Sequence, residues 1–301
     1  MTGKVPVERA ITDGYGFAFG RFLSLLGTVW LPYLVFILLS FALVWLIAPD
    51  LPQRIAMQDI DLPTAMRLVR LAVLISILGF ITGCMVTAGV QREALGLQPR
   101  PVWFYFSLGA PVWRMAGAFF LAGIVIFLIA LITSGVCVAI WFAAGRLGGG
   151  GWIVRLLDVC AGAAFLIYVM IRLLFFLPAV VVAEGTIGLE RAWILGGHNF
   201  WRILIVCIAI VLPVAIVFHL LSWAIFGPLA GLQMGPHVGV REIIRAVALN
   251  FAAVSPFAIL FQVLERIVLI GVTNGAVASA YIALSDYRPG VASPPAVTTP
   301  A

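Results

Sequence analysis

The chain has 301 residues, of which 63% are hydrophobic and 10% are charged, and its formal net charge is +6. One water-soluble core cannot bury so much apolar side chain, so the composition excludes an ordinary soluble domain and predicts a membrane protein. The basic residues are spread singly instead of forming a stripe, which argues against nucleic acid and favours membrane lipids, anionic lipids included, as partners.

Six apolar runs are long enough to cross a bilayer as helices, which takes about 20 mainly apolar residues. Backbone amides inside lipid must be satisfied within the chain, and runs of this length fit helices better than barrel strands. The sequence therefore predicts an all-α polytopic domain over 1–288, followed by a disordered tail over 289–301. The runs are Phe22 to Ala48, Leu71 to Val90, Met115 to Ala144, Leu156 to Ala183, Ile203 to Leu232, and Phe251 to Leu284.

A short stretch rich in Gly and aromatic residues leads into the first, third and fifth runs. These three lead-in segments, around Arg21, Arg114 and Arg202, read GFAFGRFL, APVWRMAG and HNFWRILI. Their recurrence predicts three helical hairpins, each preceded by an interfacial elbow segment. Since aromatic and basic residues are normal at any membrane interface, each segment is either a structural elbow or a lipid-headgroup site. The candidate headgroup contacts are Arg21, Trp113, Arg114, Arg191, Trp193, His198, Asn199, Trp201 and Arg202.

The third lead-in segment belongs to the stretch GLERAWILGGHNFWRIL, from Gly188 to Leu204. This stretch resembles a signature of bacterial six-helix membrane proteins related to the membrane domain of glycerophosphoryl diester phosphodiesterases. Ala192 stands where that group usually has Ser, and His198 is inserted. The resemblance implies a six-helix fold and a membrane-associated role, without the separate catalytic barrel that some members carry. The matching positions are Trp193, Leu195, Gly197, Asn199, Phe200, Trp201 and Arg202.

Ionisable residues inside membrane runs are costly and often functional. Arg172 lies in the fourth run, and Glu265 and Arg266 lie near the middle of the sixth. Two interpretations remain open: an ion pair that fixes helix packing, or a polar pocket between helices four and six. The candidate intramembrane site is Arg172, Gln262, Glu265, Arg266 and Asn274.

The chain has none of the HExxH, GxSxG or P-loop patterns, and its one Lys is Lys4. We therefore expect no catalytic residue, metal or cofactor. The favoured hypothesis is an inner-membrane protein with a lipid-interacting structural or accessory role, and the alternative is a transporter or channel for a small molecule or ion. A homo-oligomer or a membrane protein partner is compatible with either. The first run should remain as an uncleaved signal anchor, and a small excess of basic residues places both termini in the cytoplasm.

Overall fold

A computed structural model describes residues 3–49, 62–98, 103–145, 151–226, 256–285 and 287. Within these ranges the regular structure is helical and contains no strand, so the all-α prediction is confirmed. The helices in the described ranges are α1 (Val7–Gly20), α2 (Phe22–Ile47), α3 (Leu62–Ala94), α4 (Ala110–Ala144), α5 (Gly151–Leu174), α6 (Leu177–Glu184), α7 (Leu189–Gly197), α8 (Phe200–Phe226) and α9 (Pro256–Leu284).

Six helical segments in the described ranges are long and apolar enough to cross a membrane, one for each predicted run. Five are single helices, and the remaining one consists of α5 and α6 together over Gly151–Glu184. The chain is therefore a polytopic helical membrane protein. The predicted end of the fifth run at Leu232, the start of the sixth at Phe251 and the tail over 289–301 lie outside the described residues.

The second membrane helix is longer than its apolar run. α3 begins at Leu62, well before the predicted start at Leu71, because Arg67 and Arg70 interrupt the apolar pattern without interrupting the helix. Charged residues at the end of a membrane helix can reach the polar interface along their own side chains. Hydropathy therefore located the spanning part of α3 and missed its extension.

The long helices form the three predicted antiparallel hairpins: α2 with α3, α4 with α5, and α8 with α9. In the first hairpin, Thr28 packs against Gly89 and, farther along, Phe36 packs against Gly79. A Cβ on Gly89 would lie 2.9 Å from the Cγ2 of Thr28. This register places the beginning of α2 beside the end of α3.

The first lead-in segment contains the end of α1, a helix that packs along the second half of α9. Small residues make this close approach feasible, as they do at many helix contacts in membranes. A Cβ on Gly14 would lie 2.8 Å from the carbonyl oxygen of Val272, and one on Gly275 would lie 2.9 Å from the Cβ of Phe17. The segment expected as a surface elbow is thus an integral part of the helix bundle.

The buried core is concentrated where α6 meets the later halves of α3 and α9. Leu177 in α6 and Val272 in α9 are completely buried. Apolar side chains along α4, α5 and α8 are instead exposed, with Phe142 and Trp223 among them. A spanning helix presents such a surface to lipid, so these faces suit the bilayer rather than water.

Candidate functional site

Two glycines shape the elbow that connects α6 to α8 through α7. Gly185 follows α6 with a φ of 66°, and Gly188 precedes α7 with a φ of 51°. Both lie in the left-handed region, which glycine adopts without the steric penalty of a side chain. A side chain on Gly188 would also collide with Val180. The chain reverses here, and α7 packs back against α5.

Arg172 of α5 binds α7 through a cation–π contact and a hydrogen bond. Its guanidinium carbon lies 4.0 Å from the centroid of the Trp193 ring and 5.8 Å from that of the Tyr168 ring. Its Nε donates to the Trp193 carbonyl at 3.2 Å, and its Nη1 donates to the Tyr168 hydroxyl at 2.6 Å. Gly197 leaves room for this arrangement, since a Cβ there would lie 2.6 Å from Nη2 of Arg172. The aromatic faces and these two acceptors stabilise the cation.

Asn199 and Arg202 bind the N-terminal segment of the chain. The Val5 amide donates to Oδ1 of Asn199 at 3.0 Å, and Nδ2 of Asn199 donates to the Gly3 carbonyl at 3.3 Å. Nη1 of Arg202 donates to the Val5 carbonyl at 2.9 Å. Val5 and Asn199 are both buried, so these bonds satisfy groups that water does not reach. We call Gly3, Val5, Asn199 and Arg202 the N-terminal clamp.

A second polar contact joins the elbow to α9. Nε of Arg191 lies 3.3 Å from Oε1 of Glu184, and the same oxygen accepts a hydrogen bond from the Tyr281 hydroxyl at 2.9 Å. Arg114 approaches from α4, where its Nη1 would lie 3.2 Å from a Cβ on Gly185. Arg191 is therefore engaged by the protein, while Arg114 lies beside the turn and is exposed.

Several aromatic and basic side chains of the lead-in segments remain on the molecular surface. Trp113 is 56% exposed, Trp201 is 72% exposed and Phe19 is 63% exposed. Arg114 is also exposed. We call Phe19, Trp113, Arg114 and Trp201 the exposed lead-in surface. Phe19 lies just before the start of α2, and the other three lie close to the start of α4 or α8. Aromatic rings at such positions commonly lie at the level of lipid headgroups.

The predicted headgroup contacts thus fall into two groups. One group has protein partners: Arg21, which approaches Glu93, together with Arg191, Trp193, Asn199 and Arg202. The other group is exposed and consists of Trp113, Arg114, His198 and Trp201. The sequence analysis treated these residues as one set of headgroup candidates, whereas the structure gives the two groups different environments.

The predicted intramembrane site is not assembled as one group in the described part of the chain. Arg172 is held by α7, and no ion pair joins it to Glu265 within the described ranges. Gln262 and Arg266 are exposed and Glu265 is half-buried on α9, while the amide of Asn274 donates to the Ile270 carbonyl of its own helix at 2.8 Å. Of the ion pairs that the packing interpretation allows, the one between Arg172 and Glu265 therefore does not form, because the rings and the carbonyl at the elbow bind the guanidinium.

Sequence reasoning missed two buried polar residues in the last turn of α3 and a half-buried polar pair in α5. Gln91 and Glu93 lie in the last turn of α3, and each is less than a tenth exposed. Asp158 and Arg155 lie in α5, where the Cys137 thiol faces the Asp158 carboxylate. Gln91 and Glu93 directly follow the second apolar run, so hydropathy gave no indication that they belong to the buried part of α3.

The described residues contain no group of three or more His, Cys, Asp or Glu side chains that could hold a metal ion. No family model matches the chain, and neither a curated protein nor a solved structure matches it.

Proposed function

We propose that this polytopic protein has a non-catalytic structural or accessory role in the inner membrane, with both termini in the cytoplasm. The exposed lead-in surface carries its contact with lipid headgroups. The proposal includes kinship with the six-helix group that the stretch from Gly188 to Leu204 resembles. The observation that supports it best is the exposure of Trp113, Arg114 and Trp201 at the beginnings of two spanning helices.

These exposed side chains are better suited to a bilayer interface than to water. A fully exposed Trp in water loses the favourable burial of its large apolar surface, whereas at a bilayer interface the ring enters the acyl boundary. The adjacent guanidinium of Arg114 can then bind phosphate oxygens in two parallel hydrogen bonds. Trp113 and Arg114 are neighbours in sequence and both exposed, so they form the best-defined part of this surface.

Lipid retention tests the proposal. We expect the purified full chain with Trp113→Ala and Arg114→Ala together to retain severalfold less phosphatidylglycerol than wild type, measured by native mass spectrometry. The matched control is Arg70→Ala, which removes an exposed basic charge at the opposite end of α3 from the lead-in surface. Equal retention by the double variant and wild type would contradict the proposal. Equal losses in the double variant and the control would do so too.

The transporter hypothesis relied on a single polar site between helices four and six. Arg172 contributes to the elbow instead, and Gln262, Glu265 and Arg266 lie on an α9 surface that is exposed or half-exposed. In the described part of the chain, no specific geometry therefore favours transport over the lipid-contacting role.

A further inference from the structure

The break between α1 and α2 brings two opposite charges together at one end of the bundle. Arg21 occupies this break, and its Nη1 lies 3.7 Å from Oε1 of Glu93 in α3. The Arg21 side chain is 53% exposed, whereas that of Glu93 is 2% exposed. A strong charge-assisted hydrogen bond would have a length of about 2.7–2.9 Å, so this pair is in contact without a tight bond.

The polar atoms around Glu93 are poorly satisfied. Neither carboxylate oxygen of Glu93 accepts a hydrogen bond within the part of the chain that the structure describes, and the Ser24 hydroxyl makes none there either. All three atoms are buried. The register that pairs Thr28 with Gly89 puts Ser24 opposite Glu93, one helical turn farther along each helix. A buried carboxylate in this condition is costly, which favours a ligand that donates hydrogen bonds to it.

Gln91 has a similarly buried amide that makes no hydrogen bond to any described residue, but it points elsewhere. Two positions along an α-helix correspond to a rotation of about 200°. Gln91 therefore lies on nearly the opposite side of α3 from Glu93. We call the group formed by Arg21, Ser24 and Glu93 the break site.

The charges of the break site restrict the ligand that it suits. A purely anionic ligand that binds Arg21 would meet the Glu93 carboxylate, and a purely cationic one that binds Glu93 would meet the guanidinium. A zwitterion with a phosphate and a primary ammonium satisfies both groups, because the ammonium supplies three hydrogen-bond donors. Phe19 and Leu23 flank Arg21 in sequence and are both more than 60% exposed, so an apolar surface adjoins the site. That surface favours a lipid over a soluble phosphate compound.

We propose that the break site binds the headgroup of a phospholipid that carries a phosphate and a primary ammonium. The phosphate binds Arg21, whose half-exposed side chain turns outward to it, and the ammonium donates to Glu93 and Ser24. Acyl chains lie along Phe19 and Leu23. This inference rests on the proposed lipid-contacting role and adds the chemical class of one bound lipid.

Competition among three lipids with identical acyl chains tests the site in the purified full chain by native mass spectrometry. Phosphatidylethanolamine has the primary ammonium, phosphatidylcholine keeps the charge without N–H donors, and phosphatidylglycerol has no cation. We expect wild type to prefer phosphatidylethanolamine over phosphatidylcholine by about tenfold, the effect of one hydrogen bond to a charged group. Glu93→Gln should abolish this preference, and Arg21→Gln should weaken the binding of all three lipids.

The control is Glu8→Gln, which changes an exposed carboxylate of α1 and should leave the preference intact. Ser24→Ala should lower the preference severalfold, and it replaces Glu93→Gln as the deciding variant if the latter does not fold. Equal binding of phosphatidylethanolamine and phosphatidylcholine by wild type would contradict the proposed headgroup binding at the break site. An unchanged preference in the deciding variant would contradict it too. If the Trp113 and Arg114 double variant still loses phosphatidylglycerol in that case, the proposed role stands and only the break site is rejected.

Discussion

Replacing Gly14 with Ala should loosen α1 from α9, whereas the same replacement at Gly16 should not. A Cβ at position 14 would lie 2.8 Å from the Val272 carbonyl oxygen and 3.1 Å from the Cβ of Ala276. Neither a backbone carbonyl nor an Ala methyl can rotate away, so the helices must separate. A Cβ at position 16 would meet no atom of the described residues within 4 Å. The two variants therefore make the same chemical change in a crowded and in an open place.

The expected difference follows from two opposing effects. Gly to Ala within a helix stabilises by about 0.5–1 kcal/mol in either variant, because the unfolded chain loses backbone freedom. Overpacking of a well-packed contact costs about 1–3 kcal/mol and applies at Gly14 alone. Gly14→Ala should therefore be less stable than Gly16→Ala by about 1–3 kcal/mol.

Thermal unfolding in detergent measures this difference, and hydrogen exchange of residues 7–20 locates it. We expect faster exchange across α1 in Gly14→Ala and wild-type exchange in Gly16→Ala. The reciprocal variant Gly275→Ala should behave like Gly14→Ala, since its Cβ would lie 2.9 Å from the Cβ of Phe17. Equal unfolding temperatures and equal exchange in the variants at 14 and 16 would refute the close-packed crossing.

Three further predictions concern the clamp, the elbow and alkaline stability. Asn199→Ala leaves the buried Val5 amide without its acceptor, which should destabilise by about 1–3 kcal/mol and speed proteolysis near the N-terminus. Gly197→Ala should displace the guanidinium of Arg172 and lower the unfolding temperature by several degrees. Burial raises the pKa of Tyr287 above its ordinary value. The contribution of the neutral Tyr287 hydroxyl to stability should therefore be complete below pH 10 and decrease as the pH rises further. Thermal unfolding from pH 8 to 11 measures this decrease.

Each of these predictions has a control of the same kind. His198→Ala removes the exposed neighbour of Asn199 and should leave proteolysis unchanged. Gly123→Ala adds a methyl group at a helix position where no described neighbour lies within 4 Å, and it should not lower the unfolding temperature. Tyr287→Phe should reduce the alkaline loss of stability. A control that behaves like its paired variant, or an alkaline loss that Tyr287→Phe does not change, would contradict the corresponding argument.

The spanning helices were predictable because lipid imposes a simple rule. Every backbone amide in the bilayer must be satisfied within the chain, and long apolar runs therefore become helices of a known minimum length. The rule depends on composition within one run and not on distant residues. It is less informative at helix ends, where α3 continues through Arg67 and Arg70 because their charged groups can reach the interface.

The partners of the candidate site residues were not predictable in the same way. Asn199 binds Val5 across a separation of 194 residues, and Arg202 binds the same residue across 197. Hydropathy and local motifs place a residue along its helix, but they do not say which other helix it faces. For that reason Arg172 was predicted to share an intramembrane site with Glu265, while its actual ring partner, Trp193, was assigned to the lipid interface.

The three lead-in arginines show how similar local sequence can serve different purposes. Each follows an aromatic or apolar stretch at the start of a spanning helix, yet Arg21 approaches a buried carboxylate, Arg202 binds a backbone carbonyl, and Arg114 is exposed. An alanine at position 202 would break the N-terminal clamp, so any lipid that it lost could reflect altered folding. At position 114 the loss of lipid can be separated from folding, and at position 21 it reports a headgroup site with a specific counter-charge. Lipid specificity in this protein must therefore be measured at Arg114 and Arg21, with Arg202 serving as the variant that reports on the fold.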